Sequence, residues 1–139
     1  MKQTLSLITL AVEDVARSLA FYRDGLGWTP KLAMDDIAFF QMNGFVFSIF
    51  KKDGLAKDFG GKIIMGGKSI SLSHNVPRKE EVDAAINKIR KLKGAAIVCE
   101  PVDRVWGGYS GYFEDPDGHV WEVGWNPHWT FSPDGFVTI

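Results

Sequence analysis

The sequence is short of cysteine and of net charge, and each shortage excludes a class of protein. Its 139 residues contain one cysteine, Cys99, which excludes an internal disulfide and a zinc site built from several cysteines. A single thiol suits a reducing compartment, so we expect a cytoplasmic protein in which Cys99 is a small buried hydrophobic residue of a strand. The 16 basic and 17 acidic residues leave a formal charge of -1 and form no Lys/Arg cluster interleaved with aromatic residues. No nucleic-acid partner is therefore expected.

Long apolar runs are also missing. No segment approaches the roughly 20 apolar residues that cross a bilayer, so no membrane partner is expected. The run from Leu5 to Val12 is broken by Ser6 and Thr9 and is followed by acidic residues, so it lacks the pattern of a signal peptide. What the chain does have is 45% hydrophobic and 13% aromatic residues, which is the composition of one ordered globular domain over 1–139.

The chain contains an internal repeat. The segments 7-LITLAV-12 and 69-SISLSH-74 align without gaps at an offset of 62, and both alternate as strands do. A helix pattern follows each of them. The first begins after Asp14, a favourable N-cap residue, and the second covers 77–94 and ends at a glycine.

A second pair of segments extends the repeat. Here 43-NGFVFSIF-50 matches 117-DGHVWEVG-124 at an offset of 74, and each begins with a hairpin-turn signal. Each half is therefore predicted to contain a strand, a helix and about three further strands. The prediction is an α+β fold with module 1 at about 5–60, module 2 at about 66–127 and a C-terminal tail at 128–139. Each module is too small to bury a stable core of its own, so the two modules are predicted to share one core.

The segments ITLAVEDVARSLAFYRDGLGW and GYFEDPDGHVWEV open the first module and close the second, and together they resemble the vicinal oxygen chelate superfamily. That superfamily groups glyoxalase I, bleomycin-resistance proteins and extradiol dioxygenases, and the resemblance covers residues 5 to about 127. It implies two tandem βαβββ modules that form an open, cup-shaped mixed β-sheet with flanking helices and a shared cavity. It also implies a homodimer, but no particular reaction, because the fold hosts several chemistries.

The resemblance also implies four positions that face a metal in the enzymes of the family. In this sequence they are Leu7, Ser48, Ser69 and Glu122. Leucine cannot coordinate a metal, neutral serine is a poor donor, and one carboxylate cannot hold a divalent ion alone. We therefore expect no cofactor, and Glu122 would be a metal ligand only if a divalent metal is present.

Strand alternation assigns side chains to faces of the predicted sheets. It places Glu122 on the inner face and sends its neighbours Trp121 and Val123 outward onto a helix. The same rule puts Ser48, Ser69 and Ser71 on inner faces, so these serines are predicted to line a small-molecule pocket around Glu122. The alternative is that they are small residues at a crowded or solvated sheet surface. His74 and His119 fall on the opposite face and should not join Glu122.

The loop 104-RVWGGYSGYF-113 has two interpretations. Its glycines and aromatic residues could form a pocket rim in which Trp106, Tyr109 and Tyr112 stack on a ligand and Arg104 meets a ligand anion. Alternatively, the tryptophan is a core anchor and the glycines form turns. Both interpretations stay open.

Three hypotheses follow for function. The first is a binding protein or enzyme of this superfamily that holds a small organic molecule without a tightly bound metal, with Glu122 as anchor or general base. The second is a metal-dependent lyase or isomerase of the glyoxalase I type. The third is a non-catalytic interaction module. Three of the four ligand positions cannot serve as metal ligands, so the sequence does not fix whether the protein is an enzyme.

Overall fold

The computed structural model describes Gln3, 5–65 and 69–139 of the chain. The chain divides into two compact units, Met1–Gly66 and Gly67–Ile139. The predicted start of module 2, at 66–68, lies outside the described residues. No helix among the described residues is long and apolar enough to cross a membrane.

The first unit has the order strand, helix, three strands and a further helix. It contains β1 (Leu7–Val12), α1 (Val15–Ala20) continued by a π-helical turn (Phe21–Gly25), β2 (Leu32–Ala33), β3 (Ile37–Gln41), β4 (Val46–Lys51) and α2 (Lys52–Phe59). Its sheet has the strand order β1-β4-β3-β2, with β1 parallel to β4 and the other pairs antiparallel.

The helix of the first unit starts where the sequence predicts. The Asp14 side chain accepts a hydrogen bond from the backbone N–H of Arg17, which satisfies one of the free donors at the helix N-terminus. The π-helical turn then buries Phe21 and Tyr22 together. The Tyr22 ring stacks on Trp28, with ring centroids 5.3 Å apart, so the core of this unit is an aromatic cluster on the helix side of the sheet.

The second unit repeats this topology. It contains β5 (Ser71–Asn75), α3 (Lys79–Ile89), β6 (Ala96–Asp103), β7 (Tyr109–Glu114) and β8 (Val120–Trp125), followed by a short hairpin of β9 (Thr130–Phe131) and β10 (Val137–Thr138). The sheet order is β5-β8-β7-β6, with β5 parallel to β8. The predicted α+β class with two βαβββ modules is confirmed.

The core of the second unit lies between α3 and the sheet. Trp121 and Val123 of β8 are buried on the side of the helix, as alternation predicts, and Phe113 of β7 stacks on Trp121. The helix contributes its buried apolar face at Val82, Ile86 and Ile89. Because successive strand residues point to opposite faces, Glu122 lies on the other side of the sheet.

The register of the strands corrects the alignment of the repeat. Thr9 pairs with Ser48 in the first unit, and Ser73 pairs with Glu122 in the second. The opening strands are thus related by an offset of 64 rather than 62, and Ser69 lies before β5 instead of within it. An error of two residues preserves the face of every side chain, because side chains in a strand alternate with period two.

One helix was not predicted. Helix α2 follows β4 directly and ends at Gly60, whose φ of 71° gives the left-handed C-cap that glycine adopts without strain. None of its residues is buried, so no apolar stripe marks it in the sequence.

Candidate functional site

The site is centred on the carboxylate of Glu122 in the middle of β8. Its Oε1 accepts a hydrogen bond from the Tyr112 hydroxyl at 2.8 Å, and its Oε2 accepts one from the Ser73 hydroxyl at 2.8 Å. Both donors lie directly across from Glu122, Tyr112 in antiparallel β7 and Ser73 in parallel β5. The strand pairing of the second unit therefore fixes the carboxylate from both sides.

A pocket of about 300 Å³ lies beside this carboxylate, and all of its lining residues belong to the second unit. Two tryptophans and a tyrosine supply flat aromatic surface, two asparagines supply amides, and Glu122 supplies the charge. The lining residues are Asn75, Trp106, Tyr112, Glu122, Gly124, Asn126 and Trp129. Its volume falls at the lower end of the range typical of small-molecule sites.

Trp106 reaches the pocket from the tight turn between β6 and β7. Gly107 supplies a positive φ of 92° in that turn. A Cβ atom on the next residue, Gly108, would collide with Cζ3 and Cη2 of the Trp106 indole. The ring thus lies across the backbone of Gly108, in space that only glycine leaves open.

Arg104 does not line the pocket but packs beside one of its residues. Its Nε donates to the Ser110 hydroxyl at 2.9 Å and its Nη2 to the Ser110 carbonyl at 2.8 Å. The guanidinium carbon lies 5.2 Å from the centroid of the Tyr112 ring, close enough for a cation–π contact. Arg104 also donates to the sulfur of Cys99 at 3.4 Å. Cys99 is partly exposed, so the prediction that it is buried is wrong.

The hydroxyl of Tyr112 is held in its neutral form. Burial raises the pKa of Tyr112 above its usual value, and the hydrogen bond to Glu122 and the charge of that carboxylate raise it further. The hydrogen bond with Ser110 and the charge of Arg104 lower the pKa of Tyr112, with smaller effects. Tyr112 is therefore a stable hydrogen-bond donor to Glu122.

Other predicted site residues lie elsewhere. Tyr109 belongs to the helix side of the sheet, where its hydroxyl donates to Asp83 of α3 at 3.0 Å and Lys79 lies over its ring. Ser69 precedes β5, and the exposed Ser71 does not line the pocket. Of the predicted binding residues, the structure brings Trp106 and Tyr112 to the pocket with Glu122.

Ser48 of the first unit occupies the position that matches Glu122. It is completely buried, and its hydroxyl donates to Thr9 at 2.8 Å. This neutral pair replaces the pair of Ser73 and Glu122 in the second unit.

The sequence did not identify Asn75, Asn126 and Trp129 as site residues. Asn75 lies two residues after Ser73 on the same face of β5, so alternation carried a signal for it. Asn126 and Trp129 follow β8, and only the course of the chain after the strand brings them to the pocket. The backbone N–H of His128 donates to the Asn126 side chain and orders this segment.

Neither His74 nor His119 lines the pocket. His119 is held at the turn before β8, where its Nδ1 lies 2.9 Å from Oδ2 of the buried Asp115. His74 lies on the helix side of β5, where desolvation lowers its pKa although part of the residue stays accessible to solvent. His74 alternates with Ser73 in β5, as predicted, whereas His119 precedes β8 and strand alternation does not assign it a face.

The donor atoms at the positions implied by the resemblance do not fit a divalent metal. Leu7 has no donor, the Ser48 hydroxyl is bound to Thr9, and each oxygen of Glu122 already accepts a hydroxyl hydrogen bond. Throughout Gln3, 5–65 and 69–139, no group of three or more His, Cys, Asp and Glu side chains is arranged to hold a metal ion.

The chain is similar to known proteins over nearly its whole length. A sequence model of the Glyoxalase/Bleomycin resistance protein/Dioxygenase superfamily matches residues 4–123. A glyoxalase-related enzyme from Fulvimarina pelagi is 36% identical, with a TM-score of 0.93, over 99% of this chain and 99% of that one. No curated protein matches the sequence significantly.

More distant structures share the fold. A hypothetical protein from S. aureus is 25% identical over 91% of this chain and 95% of that one, with a TM-score of 0.77. A lactoylglutathione lyase from Agrobacterium tumefaciens is 23% identical over 95% of this chain and 100% of that one, with a TM-score of 0.74. At that identity the likeness supports the architecture alone.

Proposed function

Because this chain belongs to the glyoxalase/bleomycin resistance protein/dioxygenase superfamily, we propose that it binds a small organic molecule in the pocket of the second unit, without a tightly bound metal. The observation that carries the proposal is the carboxylate of Glu122, which lines a pocket of about 300 Å³ and is fixed by two hydroxyl groups.

The fixed carboxylate can recognise a ligand. A carboxylate has about four lone-pair sites, and Ser73 and Tyr112 occupy one on each oxygen of Glu122. The remaining sites can accept from an O–H or N–H group of a ligand. Because both protein donors come from neighbouring strands, the acceptor is oriented before the ligand arrives, which lowers the entropic cost of binding.

The walls of the pocket suit the carbon skeleton of such a ligand. Trp106 and Trp129 offer flat apolar surfaces, and Asn75 and Asn126 offer amide groups. A largely apolar lining with a few oriented polar groups is the usual make-up of a small-molecule site. Glu122 would act as the anchor of the ligand, or as a general base toward a proton that the ligand presents to it.

A metal-dependent lyase or isomerase is the weaker candidate. It needs several donors that converge on one ion, and the residues at the implied positions offer a single carboxylate, Glu122. We therefore assign no step of the proposed function to a metal.

The proposal is tested by titrating the protein with a library of small polar and aromatic molecules and following tryptophan fluorescence. Glu122→Gln keeps the size of the side chain and removes its charge. We expect a ligand whose affinity falls at least about tenfold in this variant, because a hydrogen bond to a charged group contributes about 1.5–3 kcal/mol.

The matched control is Glu80→Gln, which makes the same change on the exposed first turn of α3. Its affinity for the ligand should equal that of the wild type. Equal binding by wild type and Glu122→Gln would refute the role of the pocket. A stoichiometric divalent ion in protein purified without chelators would refute the metal-free site.

A further inference from the structure

The charge of Glu122 has no cationic partner among the described residues. Its two hydrogen-bond donors are the neutral hydroxyls of Ser73 and Tyr112. Glu100 of the same unit, by contrast, is paired with Arg90 at 2.7 Å. The carboxylate thus has no counter-charge beside it among the described residues, and aromatic rings line the same pocket.

Arg104 does not supply the missing positive charge. Its guanidinium is bound to Ser110 and faces the ring of Tyr112, and it does not line the pocket. Its hydrogen bonds to Ser110 hold it in this position, so a ligand meets the carboxylate and not the guanidinium.

The rings around the carboxylate are of the kind that attracts cations. Trp106, Trp129 and Tyr112 line the pocket together with Glu122. The face of an aromatic ring carries partial negative charge, and tryptophan binds a cation more strongly than tyrosine or phenylalanine does. A carboxylate beside aromatic rings therefore favours a ligand that is both positively charged and partly apolar.

We propose that the ligand of this pocket is an organic cation whose ammonium group carries small alkyl substituents. This inference rests on the proposed function and specifies its ligand class. The ammonium group would pair with Glu122, and its alkyl groups would contact the indoles of Trp106 and Trp129. A neutral ligand of the same shape would desolvate the carboxylate without offering a counter-charge, and that is costly.

The inference is tested with two probes of nearly equal shape, choline and its neutral isostere 3,3-dimethyl-1-butanol, titrated into the full chain by calorimetry. We expect the wild type to bind choline at least about tenfold more tightly than the isostere, because charge pairing and cation–π contacts act on choline alone. Glu122→Gln should lower the affinity for choline toward that for the isostere, leaving the smaller preference that the cation–π contacts supply.

A second variant tests the aromatic wall. Trp106→Leu keeps an apolar side chain but removes the π-face, so the affinity for choline should fall about threefold or more while that for the isostere stays constant. Glu80→Gln again serves as the control and should bind both probes as the wild type does.

The outcomes separate this inference from the proposed function. If the isostere binds as well as choline, or if only neutral molecules bind in a manner that depends on Glu122, the ligand class is wrong while the pocket stands. If no probe or library molecule binds in a manner that depends on Glu122, both proposals fail.

Discussion

At the scale of single residues, the properties of the site depend on the contact between Tyr112 and Glu122. The hydroxyl donates to the carboxylate at 2.8 Å, and burial together with that carboxylate raises the pKa of Tyr112. An ionised Tyr112 would place a second negative charge beside Glu122. The raised pKa therefore preserves the hydrogen bond to a higher pH than an unperturbed tyrosine would.

The raised pKa of Tyr112 predicts a late step in an alkaline titration. Tyrosinate absorbance of the wild type minus that of Tyr112→Phe isolates this residue, and its midpoint should lie above the value of about 10 for an unperturbed tyrosine. In Glu122→Gln the midpoint should move down, because the charge that opposes ionisation is gone. A midpoint that does not change in Glu122→Gln would contradict the contact.

The same shift has a consequence for stability. The pKa of Tyr112 is higher in the folded chain than in the unfolded chain, so its neutral form contributes to the free energy of unfolding. That contribution is complete below about pH 10, the unfolded pKa, and is lost as the pH rises through the folded pKa. Stability should thus fall more steeply at alkaline pH in the wild type than in Tyr112→Phe.

Sequence alone could predict Glu122, because the repeat and strand alternation both mark it. It could not separate Tyr112 from Tyr109, since both lie in a loop-like segment rich in glycine. In the structure they lie three positions apart in β7 and on opposite faces, Tyr112 across from Glu122 and Tyr109 toward α3. The residue at which β7 begins determines which of the two tyrosines lies across from Glu122. That starting residue follows from the turn at Gly107, where φ is positive.

At the scale of elements, the turn between β6 and β7 positions one wall of the pocket. The Trp106 indole lies across Gly108, where a Cβ atom would collide with it. Gly108 has no positive φ, and Trp106 is 47% exposed, so the ring can move away without disturbing the core. Gly108 therefore has a larger effect on the position of the Trp106 ring than on the stability of the unit.

Gly108→Ala is accordingly expected to displace Trp106 and to weaken ligand binding about as much as Trp106→Leu does. Its free energy of unfolding should change by less than about 1 kcal/mol. The measurements are a ligand titration and chemical denaturation.

Gly107→Ala is the matched comparison at the neighbouring position. A Cβ atom there meets nothing within 4 Å, but φ is 92°. This variant should lose about 1 kcal/mol of stability through backbone strain and keep its ligand affinity. Equal affinities in wild type and Gly108→Ala would show that the glycine does not position the ring.

The elements themselves were predictable to the extent that they carry a periodic apolar pattern. Helix α3 was found because Val82, Ile86 and Ile89 recur at helical spacing and are buried. Helix α2 has no buried residue and was missed. Strand β6 changes register on both sides of Cys99, which brings this residue opposite Tyr112. Such bulges depend on pairing between strands and leave no signal in a single sequence.

At the scale of the whole molecule, the two units share one strand topology but carry different side chains at equivalent positions. Both units pair their first and last strands in parallel, and the matching positions hold Thr9 with Ser48 in one unit and Ser73 with Glu122 in the other. In each pair a serine hydroxyl donates to the partner residue across the strands. The fold thus accepts either a neutral or a charged pair, provided that the hydroxyl has an acceptor.

Burial determines which pair each unit tolerates. Ser48 is 0% exposed, whereas Glu122 lines an open pocket. Ser48→Glu should therefore lower the free energy of unfolding by at least about 2 kcal/mol, because the new carboxylate would be buried without a counter-charge. Glu122→Ser should change it by less than about 1 kcal/mol while weakening ligand binding at least as much as Glu122→Gln does, since it gives the second unit the neutral pair of the first. Chemical denaturation of both variants measures the difference, and equal losses of stability would show that the two positions are not distinguished by burial.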